Sequence, residues 1–381
     1  MLWRSPRSRG PARFDRQPQR GAGRIEARLI RHLVVDLEDA DGCHVPSEQR
    51  SAPRYCQGVT GAERMSRVAV MAHFDPHGEI APHVRRAILG MSAAVDRVLV
   101  VSTSELTEGS RSWLRGHAEL LDRPNVGHDF ASYRAGLEHI GLDGLTRLIL
   151  FNDSAVLPLE DLQFMFARMD RRKADVWGLT PGYGFSPHLQ SYFLVFGPKA
   201  CNSSAFRAFW AALGTLDSRD EVITRYEVGL STALRAAGLR LASYFRPSYY
   251  DRLIGAVRVD HRAGALFLSE RRWRKLAGWA KRVFAHARTP EWNAAAALAD
   301  RALGSPLRLP SVKLSTLRDD PYELDTPALL SAFEARYPVE FDGVRDYLRR
   351  VDAFYGDRWE KAQRMEPGCV RYRVPLLASE E

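Results

Sequence analysis

Residues 146–162 read TRLILFNDSAVLPLEDL, in which an apolar run is followed at once by polar residues. The run 148–151 predicts a buried strand. Residues 152–154 (NDS) then lie where that strand ends, and Pro158 predicts the opening of a helix with acidic residues in its first turn. The stretch therefore predicts a strand that delivers three polar side chains to one edge of a sheet.

The strand-then-helix pattern of this stretch repeats along the chain. Apolar runs predict strands at 68–72, 97–101, 148–152, 176–179, 192–196 and 239–245, and helical spacing of apolar residues predicts helices at 80–94, 130–140 and 159–169. This alternation is typical of an α/β fold with a mostly parallel sheet flanked by helices. In such sheets ligands bind beyond the carboxyl ends of the strands, so the residues after each strand are the candidates for function.

The second half of the chain has more helical patterns, at 203–213, 221–237, 269–286 and 290–303, with two short helices after Thr326. No Gly/Ser-rich linker separates them from the strands, so we expect an α/β core at 65–250 and a helical C-terminal extension at 251–381 packed on it. Residues 1–64 alternate Arg, Pro, Gly and Gln. We expect them to be a disordered or dispensable basic tail, the alternative being an arm that contacts anionic lipid or nucleic acid.

The positive charge of the chain is concentrated in that tail. The net charge is +9, and residues 1–31 supply +7 of it, because nine Arg stand there against Asp15 and Glu26. The rest of the chain is close to neutral, which excludes a basic nucleic-acid-binding domain.

Cysteine spacing and hydropathy narrow the class of protein further. The four cysteines lie far apart without a CxxC pair, so neither a zinc knuckle nor a disulfide framework is indicated. No apolar run is long enough for a membrane span or a signal peptide. We expect a cytoplasmic protein, either free or at the inner face of the plasma membrane.

Asp153 is the first candidate site residue. An acid at the end of a buried strand can coordinate a divalent cation, Mg²⁺ or Mn²⁺, that neutralises a diphosphate leaving group. The alternative is that Asp153 only caps a turn, since Asn-Asp-Ser is a common turn sequence.

Two polar loops precede Asp153 in the chain. Residues 73–79 (HFDPHGE) follow the first strand, and Asp75 in this loop is a candidate to receive a nucleotide base and ribose. The second loop is in residues 124–134, where Gly127 permits a ligand to approach the backbone closely. Asp129 accepts hydrogen bonds from a ribose or sugar hydroxyl, or it caps the helix that follows.

The junction of the strands predicted at 176–179 and 192–196 is a candidate acceptor site. It concentrates four polar residues that suit a sugar bound by short hydrogen bonds, namely Thr180, His188, Gln190 and Ser191. His188 is either a wall of this pocket or a catalytic base. Glu227 is a candidate to remove a proton from an acceptor hydroxyl, the alternative being an ordinary surface glutamate.

Together and in this order, these motifs resemble the rhamnan synthesis protein F family of polysaccharide-assembly glycosyltransferases. The matching motifs are VAVMAHF (68–74), NVGHDFASYRAGL (125–137), LILFNDSAVLPL (148–159), DVWGLT (175–180), HLQSYFLVF (188–196), FRAFW (206–210) and YEVGLSTALRAAG (226–238). A weaker match follows in LGSPLRLPSVKLSTLRDDPY (303–322), which contains Lys313 and Arg318. The resemblance covers residues 67–325.

The resemblance implies a GT-A-like, Rossmann-type transferase that uses a nucleotide-diphospho-sugar, with dTDP-rhamnose as the leading donor, in cell-wall or surface polysaccharide synthesis. It implies that Asn152 and Asp153 face the donor diphosphate or a metal and that Asp129 lies in the donor pocket, and we expect Asp75, Arg134 and Ser154 to complete the donor-binding set. It implies that His188 and Gln190 border the acceptor, where we expect Thr180 and Ser191 as well, with Glu227 and Asp153 as catalytic residues. Residues 152–154 carry one carboxylate where many GT-A enzymes have Asp-x-Asp, so tight binding of a metal at Asp153 is not implied.

Two further expectations concern the acceptor and the class of protein. Residues 269–288 (SERRWRKLAGWAKRVFAHAR) combine apolar residues at helical spacing with basic ones. Such a helix can lie in a lipid interface, where a polyprenyl-linked glycan acceptor would be met, or it can pack on the core with a solvated basic face. The alternative to an enzyme is a catalytically degenerate protein that binds a glycan or scaffolds an assembly complex.

Overall fold

The computed structural model describes residues 66–183, 186–216, 218–259, 281, 283–285, 287, 292–304, 308–322 and 324–364. The predicted tail at 1–64 lies outside these residues, as does most of the segment 269–288. Within the described part, no helix has both the length and the apolar composition needed to cross a membrane.

The strands form one large sheet and two small ones. They are β1 Ser66–His73, β2 Arg97–Ser102, β3 Glu119–Asp122, β4 Leu145–Asn152, β5 Ala155–Val156, β6 Val176–Gly178, β7 Pro181–Gly182, β8 His188–Leu189, β9 Phe193–Phe196, β10 Leu241–Ser243 and β11 Val312–Lys313. The large sheet has the order β10-β6-β9-β4-β1-β2-β3, while β5 pairs with β11 and β7 with β8.

The large sheet is mainly parallel. β1 is parallel to β2 and β4, β3 is parallel to β2, and β10 is parallel to β6, whereas β9 runs antiparallel to its neighbours β4 and β6. The carboxyl ends of β1, β2, β3, β4, β6 and β10 therefore lie at one edge of the sheet. The predicted α/β fold with a mostly parallel sheet flanked by helices is confirmed.

The helices cover both faces of this sheet. They are α1 Pro82–Ser92, α2 Glu108–Arg115, α3 His128–Ile140, α4 Leu162–Arg171, α5 Pro198–Cys201, α6 Ser204–Ala211, α7 Arg219–Glu221, α8 Gly229–Ala236, α9 Tyr249–Val259, α10 Ala294–Ala297, α11 Leu314–Asp319, α12 Thr326–Arg336 and α13 Val344–Arg364. A π-helix, Val222–Val228, joins α7 to α8, and a 3₁₀-helix, Ala299–Ala302, follows α10. Apolar residues of α3, α6 and α8 pack on one face, and those of α1, α4 and the C-terminal helices pack on the other.

The central strands are buried on both faces. In β1, Val68 and Val70 belong to one hydrophobic cluster, and Ala69 and Met71 belong to the other. Successive side chains of a strand point to opposite faces, so a strand covered on both sides needs apolar residues at every position. This is why these strands are visible in the sequence as continuous apolar runs.

Helix α4 begins at Leu162, so the prediction that Pro158 opens it is wrong. The Asp161 carboxylate caps α4, where it accepts a hydrogen bond from the Phe164 amide at 2.8 Å. Residues before the cap pair with the C-terminal segment instead, because β5 forms a ladder with β11 and the Leu159 amide donates to the Pro310 carbonyl at 2.9 Å. Because residues 155–159 pair with the C-terminal segment, α4 begins four residues later than predicted, at Leu162 instead of Pro158.

Several other elements differ from the prediction. The last helix, α13, has 21 residues rather than being short. The helix predicted at 290–303 is present only as α10 and the 3₁₀-helix that follows it. Strand β3 is not predicted at all, because its ELLD sequence is short and only partly buried, and therefore lacks a continuous apolar run.

Candidate functional site

The polar motifs that follow β3 and β4 meet at the carboxyl edge of the sheet. The Asn152 side-chain amide donates a hydrogen bond to Asp129 Oδ2 at 2.7 Å. Asn152 Oδ1 accepts two hydrogen bonds from Ser154, one from the backbone amide at 3.1 Å and one from the hydroxyl at 2.6 Å. Asn152 therefore joins the first turn of α3 to the turn after β4, and Asp129 is not merely a cap of its own helix.

Gly127 gives α3 the start that positions Asp129. Its φ of 81° lies in the left-handed region, and a Cβ at this position would be 2.9 Å from the Ala131 Cβ. Any other residue would be strained there. The glycine expected from the sequence to permit a close approach thus sets the chain direction that brings Asp129, in the first helical turn, to Asn152.

Asp153 is fixed by the loop that follows β1. Its Oδ2 accepts a hydrogen bond from the Phe74 amide at 2.5 Å, and its backbone carbonyl lies 3.2 Å from His83 Nε2. Burial lowers the pKa of His83 to about 4, so the ring is neutral and Nε2–H donates to that carbonyl. Burial, reinforced by the nearby Asp129 carboxylate, raises the pKa of Asp153 to about 8. Asp153 therefore changes protonation state near neutral pH.

A divalent cation can be tested against these donors. In the part of the chain that is described, no group of three or more His, Cys, Asp or Glu residues is arranged to hold a metal. Asp129 and Asp153 do supply carboxylate oxygens, and Mg²⁺ is commonly bound by one or two carboxylates together with substrate phosphates. The donor set fits a cation that arrives with a diphosphate, and it does not fit one held by the protein alone.

Two members of the expected donor set have other partners. Asp75 is buried, its Oδ1 accepts from the His77 and Glu79 amides at 2.8 and 3.1 Å, and its Oδ2 accepts from Arg350 of α13 at 3.2 Å. Arg134 pairs with Glu138 at 2.7 Å and donates to a backbone carbonyl. The structure does not bring either side chain into the hydrogen-bonded group around Asn152.

Glu227 and His188 form the centre of the expected acceptor side. His188 Nε2 lies 3.1 Å from Glu227 Oε1, and Glu227 Oε2 accepts hydrogen bonds from the Ser191 amide and hydroxyl at 2.6 and 2.5 Å. Gly182 in β7 makes room for the imidazole, because a Cβ there would be 2.1 Å from His188 Nε2. Glu227 is thus a carboxylate with 15% of its side chain exposed and hydrogen-bond partners at both oxygens, rather than an ordinary surface glutamate.

The contacts of this pair determine its charge. His188 Nδ1 lies 2.8 Å from the Ser186 carbonyl, so both ring nitrogens face groups that only accept hydrogen bonds. Burial opposes the charged form of each side chain, but their mutual contact outweighs it, so the pKa of His188 is raised and that of Glu227 is lowered. These contacts favour the imidazolium–carboxylate form of the pair over the neutral form.

Thr180 and Gln190 lie behind this pair. Both side chains are buried, and the Thr180 hydroxyl donates to Gln190 Oε1 at 2.6 Å. Tyr192 extends the network, since its hydroxyl lies 3.1 Å from the Thr180 hydroxyl and 3.0 Å from the Ser311 hydroxyl. Thr180 and Gln190 were expected to bind a sugar directly. They are instead bonded to each other, and through Thr180 they hold the Tyr192 hydroxyl in place.

Lys313 lies between the two halves of the site. Its Nζ is 4.6 Å from the centroid of the Tyr192 ring, and its charge interacts with those of Glu227 and Asp129. Burial lowers its pKa. Sequence analysis assigned Lys313 no role, because a single lysine in a weakly matching segment does not reveal which residues it will lie beside in the folded protein.

A cavity of about 520 Å³ lies beside Asp75, at the carboxyl ends of β2 and β3. Its lining is mixed in charge and consists of Thr103, Ser104, Glu105, Arg111, Asp122, Arg123, Pro124 and Asn125. The Ser104 hydroxyl also accepts a hydrogen bond from the Asp75 amide at 2.7 Å. The volume is typical of a small-ligand site. Sequence analysis missed it, because it forms only when β2 and β3 lie side by side.

A known protein family matches the part of the chain that contains most of these motifs. Residues 98–271 match the model of the rhamnan synthesis protein F family. The resemblance seen in the sequence is thereby confirmed over this range, which includes Asp129, Asn152, Asp153, His188 and Glu227. The VAVMAHF motif and the segment containing Lys313 lie outside the rhamnan synthesis protein F match.

Two curated relatives match shorter parts of the chain. It is 27% identical over 157 residues to "Uncharacterized protein y4gN" of Sinorhizobium fredii, which is 39% of this chain and 41% of that protein. It is 29% identical over 126 residues to "Virulence protein VirA" of Vibrio anguillarum, which is 32% of this chain and 40% of that protein. The match spans about two-fifths of the length of each curated relative.

Two solved structures match at low sequence identity and with low TM-scores. The mannosyltransferase PcManGT from Pyrobaculum calidifontis, in complex with GDP-Man and Mn²⁺, is 14% identical, with 90% of this chain and 96% of that chain covered and a TM-score of 0.32. A nucleotide-diphospho-sugar transferase from Desulfovibrio desulfuricans G20, which its description calls putative, is 11% identical, with 58% and 99% covered and a TM-score of 0.30.

Proposed function

We propose that this protein is a glycosyltransferase that moves a sugar from a nucleotide-diphospho-sugar to a glycan acceptor in polysaccharide synthesis. The observation that carries the proposal is the hydrogen bond between Asn152 and Asp129, which joins two motifs of the family match at the carboxyl edge of a parallel sheet. Ligands of open α/β sheets bind at this edge. The family match supports a nucleotide-sugar transferase, and the donor and acceptor named below are our proposals.

In this proposal the donor lies across the carboxyl ends of β1, β2 and β4. The nucleoside enters the cavity at Ser104, and the diphosphate reaches Asp129, Asn152 and Asp153, with Ser154 behind them. A rhamnose-like deoxyhexose is the sugar that we favour. Mg²⁺ or Mn²⁺, bound through Asp153 and the diphosphate, would neutralise charge on the leaving group.

The acceptor hydroxyl approaches from the His188 side. As the bond from its oxygen to the anomeric carbon forms, the bond from that carbon to the diphosphate oxygen breaks, and the electron pair leaves with the nucleoside diphosphate. The proton of the hydroxyl passes to Glu227, which His188 and Ser191 keep ionised and oriented. Thr180 and Gln190 act through Tyr192, as positioning residues for this wall of the site.

The acceptor's attachment and the place of the protein in the cell are further proposals. A polyprenyl-linked glycan acceptor would bring the protein to the inner face of the plasma membrane, with contact through 269–288, a segment mostly outside the described residues. In the same proposal, 65–250 is the catalytic core and 251–381 is an extension packed on it. No nucleic acid is involved.

A second candidate is a catalytically degenerate protein that binds a glycan or scaffolds an assembly complex. The observation that favours it is that residues 152–154 carry a single carboxyl group, that of Asp153, and burial raises the pKa of this group to about 8. A protonated carboxyl binds a cation poorly. Turnover separates the two candidates.

The first experiment is thermal stabilisation of the full chain by dTDP-, UDP- and GDP-sugars, with and without Mn²⁺ or Mg²⁺. Ligand at about 100 times its dissociation constant adds roughly 2.7 kcal/mol to the free energy of unfolding. Stabilisation by one nucleotide class that is lost in Asp153→Ala and kept in Asp143→Ala would support the donor site, since the Asp143 side chain is 95% exposed. Stabilisation by none of them, followed by no donor hydrolysis or transfer, would favour the second candidate.

A further inference from the structure

Lys313 lies directly beside the turn that carries Asp153. In the ladder between β5 and β11, Lys313 is the register partner of Ala155. The next residue, Leu314, donates its amide hydrogen to the Ser154 carbonyl at 2.9 Å. Two backbone contacts thus fix a C-terminal lysine against the NDS turn, although Lys313 is 160 positions after Asp153 in the sequence.

The Lys313 ammonium has no hydrogen-bond or ion-pair partner in the described part of the chain. Its nearest defined contact is the face of the Tyr192 ring, which satisfies none of its three N–H donors. By contrast, Lys199 is exposed and pairs with Asp175 at 3.2 Å. Lys313 is half-buried, and its Nζ still reaches the surface of the site, since it is not among the buried side-chain atoms of the described residues that lack a hydrogen-bond partner. An ammonium that lies against an aromatic ring at a ligand edge, with its N–H donors open to the site, suits an anionic ligand.

The charges around Lys313 indicate which part of a ligand it faces. Asp129 and Glu227 are near enough to interact with it, and Arg219 of α7 is the other cation in this environment. The carboxylates bind hydroxyls or a cation, and they repel a phosphate unless a cation lies between them. Lys313 and Arg219 are accordingly the cations here that match a phosphate oxygen, and Lys313 is the one that strand pairing fixes beside the NDS turn.

We infer that Lys313 Nζ binds the diphosphate of the nucleotide donor and stabilises the negative charge that develops on it as it leaves. When the bond between the anomeric carbon and the diphosphate oxygen breaks, the electron pair stays on that oxygen, and Nζ–H donates a hydrogen bond to the diphosphate. Lysine remains protonated throughout, so no proton transfer is required. The site thus contains a fixed positive charge whether or not a divalent cation binds. This inference depends on the proposed function.

The test compares ligands that differ only in their phosphates. Dissociation constants for UDP, dTDP and GDP, and for uridine, thymidine and guanosine, are measured by calorimetry with divalent cations chelated. Lys313→Met keeps an unbranched chain against Tyr192 but removes the donors. We expect it to weaken binding of the preferred nucleoside diphosphate by about 10- to 100-fold, as for a lost charged hydrogen bond, and to change nucleoside binding less than about twofold. Lys199→Met, the matched control, should leave both unchanged.

A second measurement uses the wild-type protein, in case Lys313→Met does not fold. The chain has six lysines, and their amines can be ¹³C-methylated and observed by NMR, with Lys313→Arg assigning the Lys313 signal. We expect this signal to shift with the nucleoside diphosphate and not with the nucleoside. Unchanged binding in Lys313→Met, or an unmoved Lys313 signal at saturation, overturns the inference and leaves the proposed function intact. If wild type binds no nucleoside diphosphate, with or without Mn²⁺, the proposed function fails, and this inference fails with it.

Discussion

The side-chain amide of Asn152 donates to the Asp129 carboxylate at 2.7 Å, across 23 residues of sequence. Burial raises the pKa of Asp129 and this hydrogen bond lowers it in part, while burial and the Asp129 carboxylate raise the pKa of Asp153. The neutral amide of Asn152 therefore stabilises one of two neighbouring carboxylates without adding a third charge at this edge of the sheet.

Asn152→Asp is therefore expected to strengthen cation binding and to weaken the empty fold. A third carboxylate raises the pKa values of its neighbours, so the folded state holds protons that the unfolded chain releases, and stability falls as the pH rises. We expect Mn²⁺ to bind about 10-fold more tightly by calorimetry. Without metal, the melting temperature of Asn152→Asp should lie below that of wild type, and this difference should be larger at about pH 8 than at about pH 5. Asn202→Asp, at an exposed position, is the control, and equal effects of the two variants would contradict this account.

Asp153→Asn should stabilise the protein while impairing its function. The folded-state pKa of about 8 lies above the ordinary value of 3.8, so between these values the folded protein keeps a proton that the unfolded chain has released. The wild type thus loses stability as the pH rises through this window. The melting temperature of Asp153→Asn should exceed that of wild type by about 2 °C or more near pH 8, with a smaller gain near pH 5. Asp143→Asn should not change it, and a gain independent of pH would refute the assignment.

Glu227→Gln tests the proposed base and its ion pair together. Loss of a general base lowers turnover by about 10²–10⁴, and donor affinity should remain, because Glu227 lies on the acceptor side. The same change removes the charge that raises the pKa of His188 above 6.5, after which burial lowers it below that value. NMR titration of the imidazole measures this shift. Glu221→Gln, which is half-exposed, serves as the control, and near-normal turnover with a shifted His188 would leave Glu227 a positioning residue only.

Arg350→Met should destabilise the fold through Asp75. The Asp75 side chain is 2% exposed and accepts from Arg350, so the variant leaves a buried carboxylate with only its two backbone donors. We expect the free energy of unfolding in urea to fall by about 1–3 kcal/mol. Arg349→Met removes an exposed pair with Asp346 and should cost less than about 0.5 kcal/mol. Similar losses in the two variants would mean that α13 does not anchor the loop at Asp75.

Much of the fold was visible in the sequence because its signals are local. Strands β1 and β4 are buried on both faces, so their apolar runs stand out, and Asn152 and Asp153 follow one of them directly. Strand β3 and the true start of α4 were missed, because one is half-solvated and the other is set by pairing with the distant Pro310 carbonyl.

The sequence by itself determined which polar side chains stand at the ends of the strands, since a strand's burial and its last residue are properties of neighbouring positions. Only the tertiary structure decided which of those side chains contact one another and how they change one another's protonation. Glu227 meets His188 across 39 residues, Asp75 meets Arg350 across 275, and Lys313 is brought beside the NDS turn by β11. Protonation depends on burial and on the nearest charge, and both are fixed only when distant segments pack together.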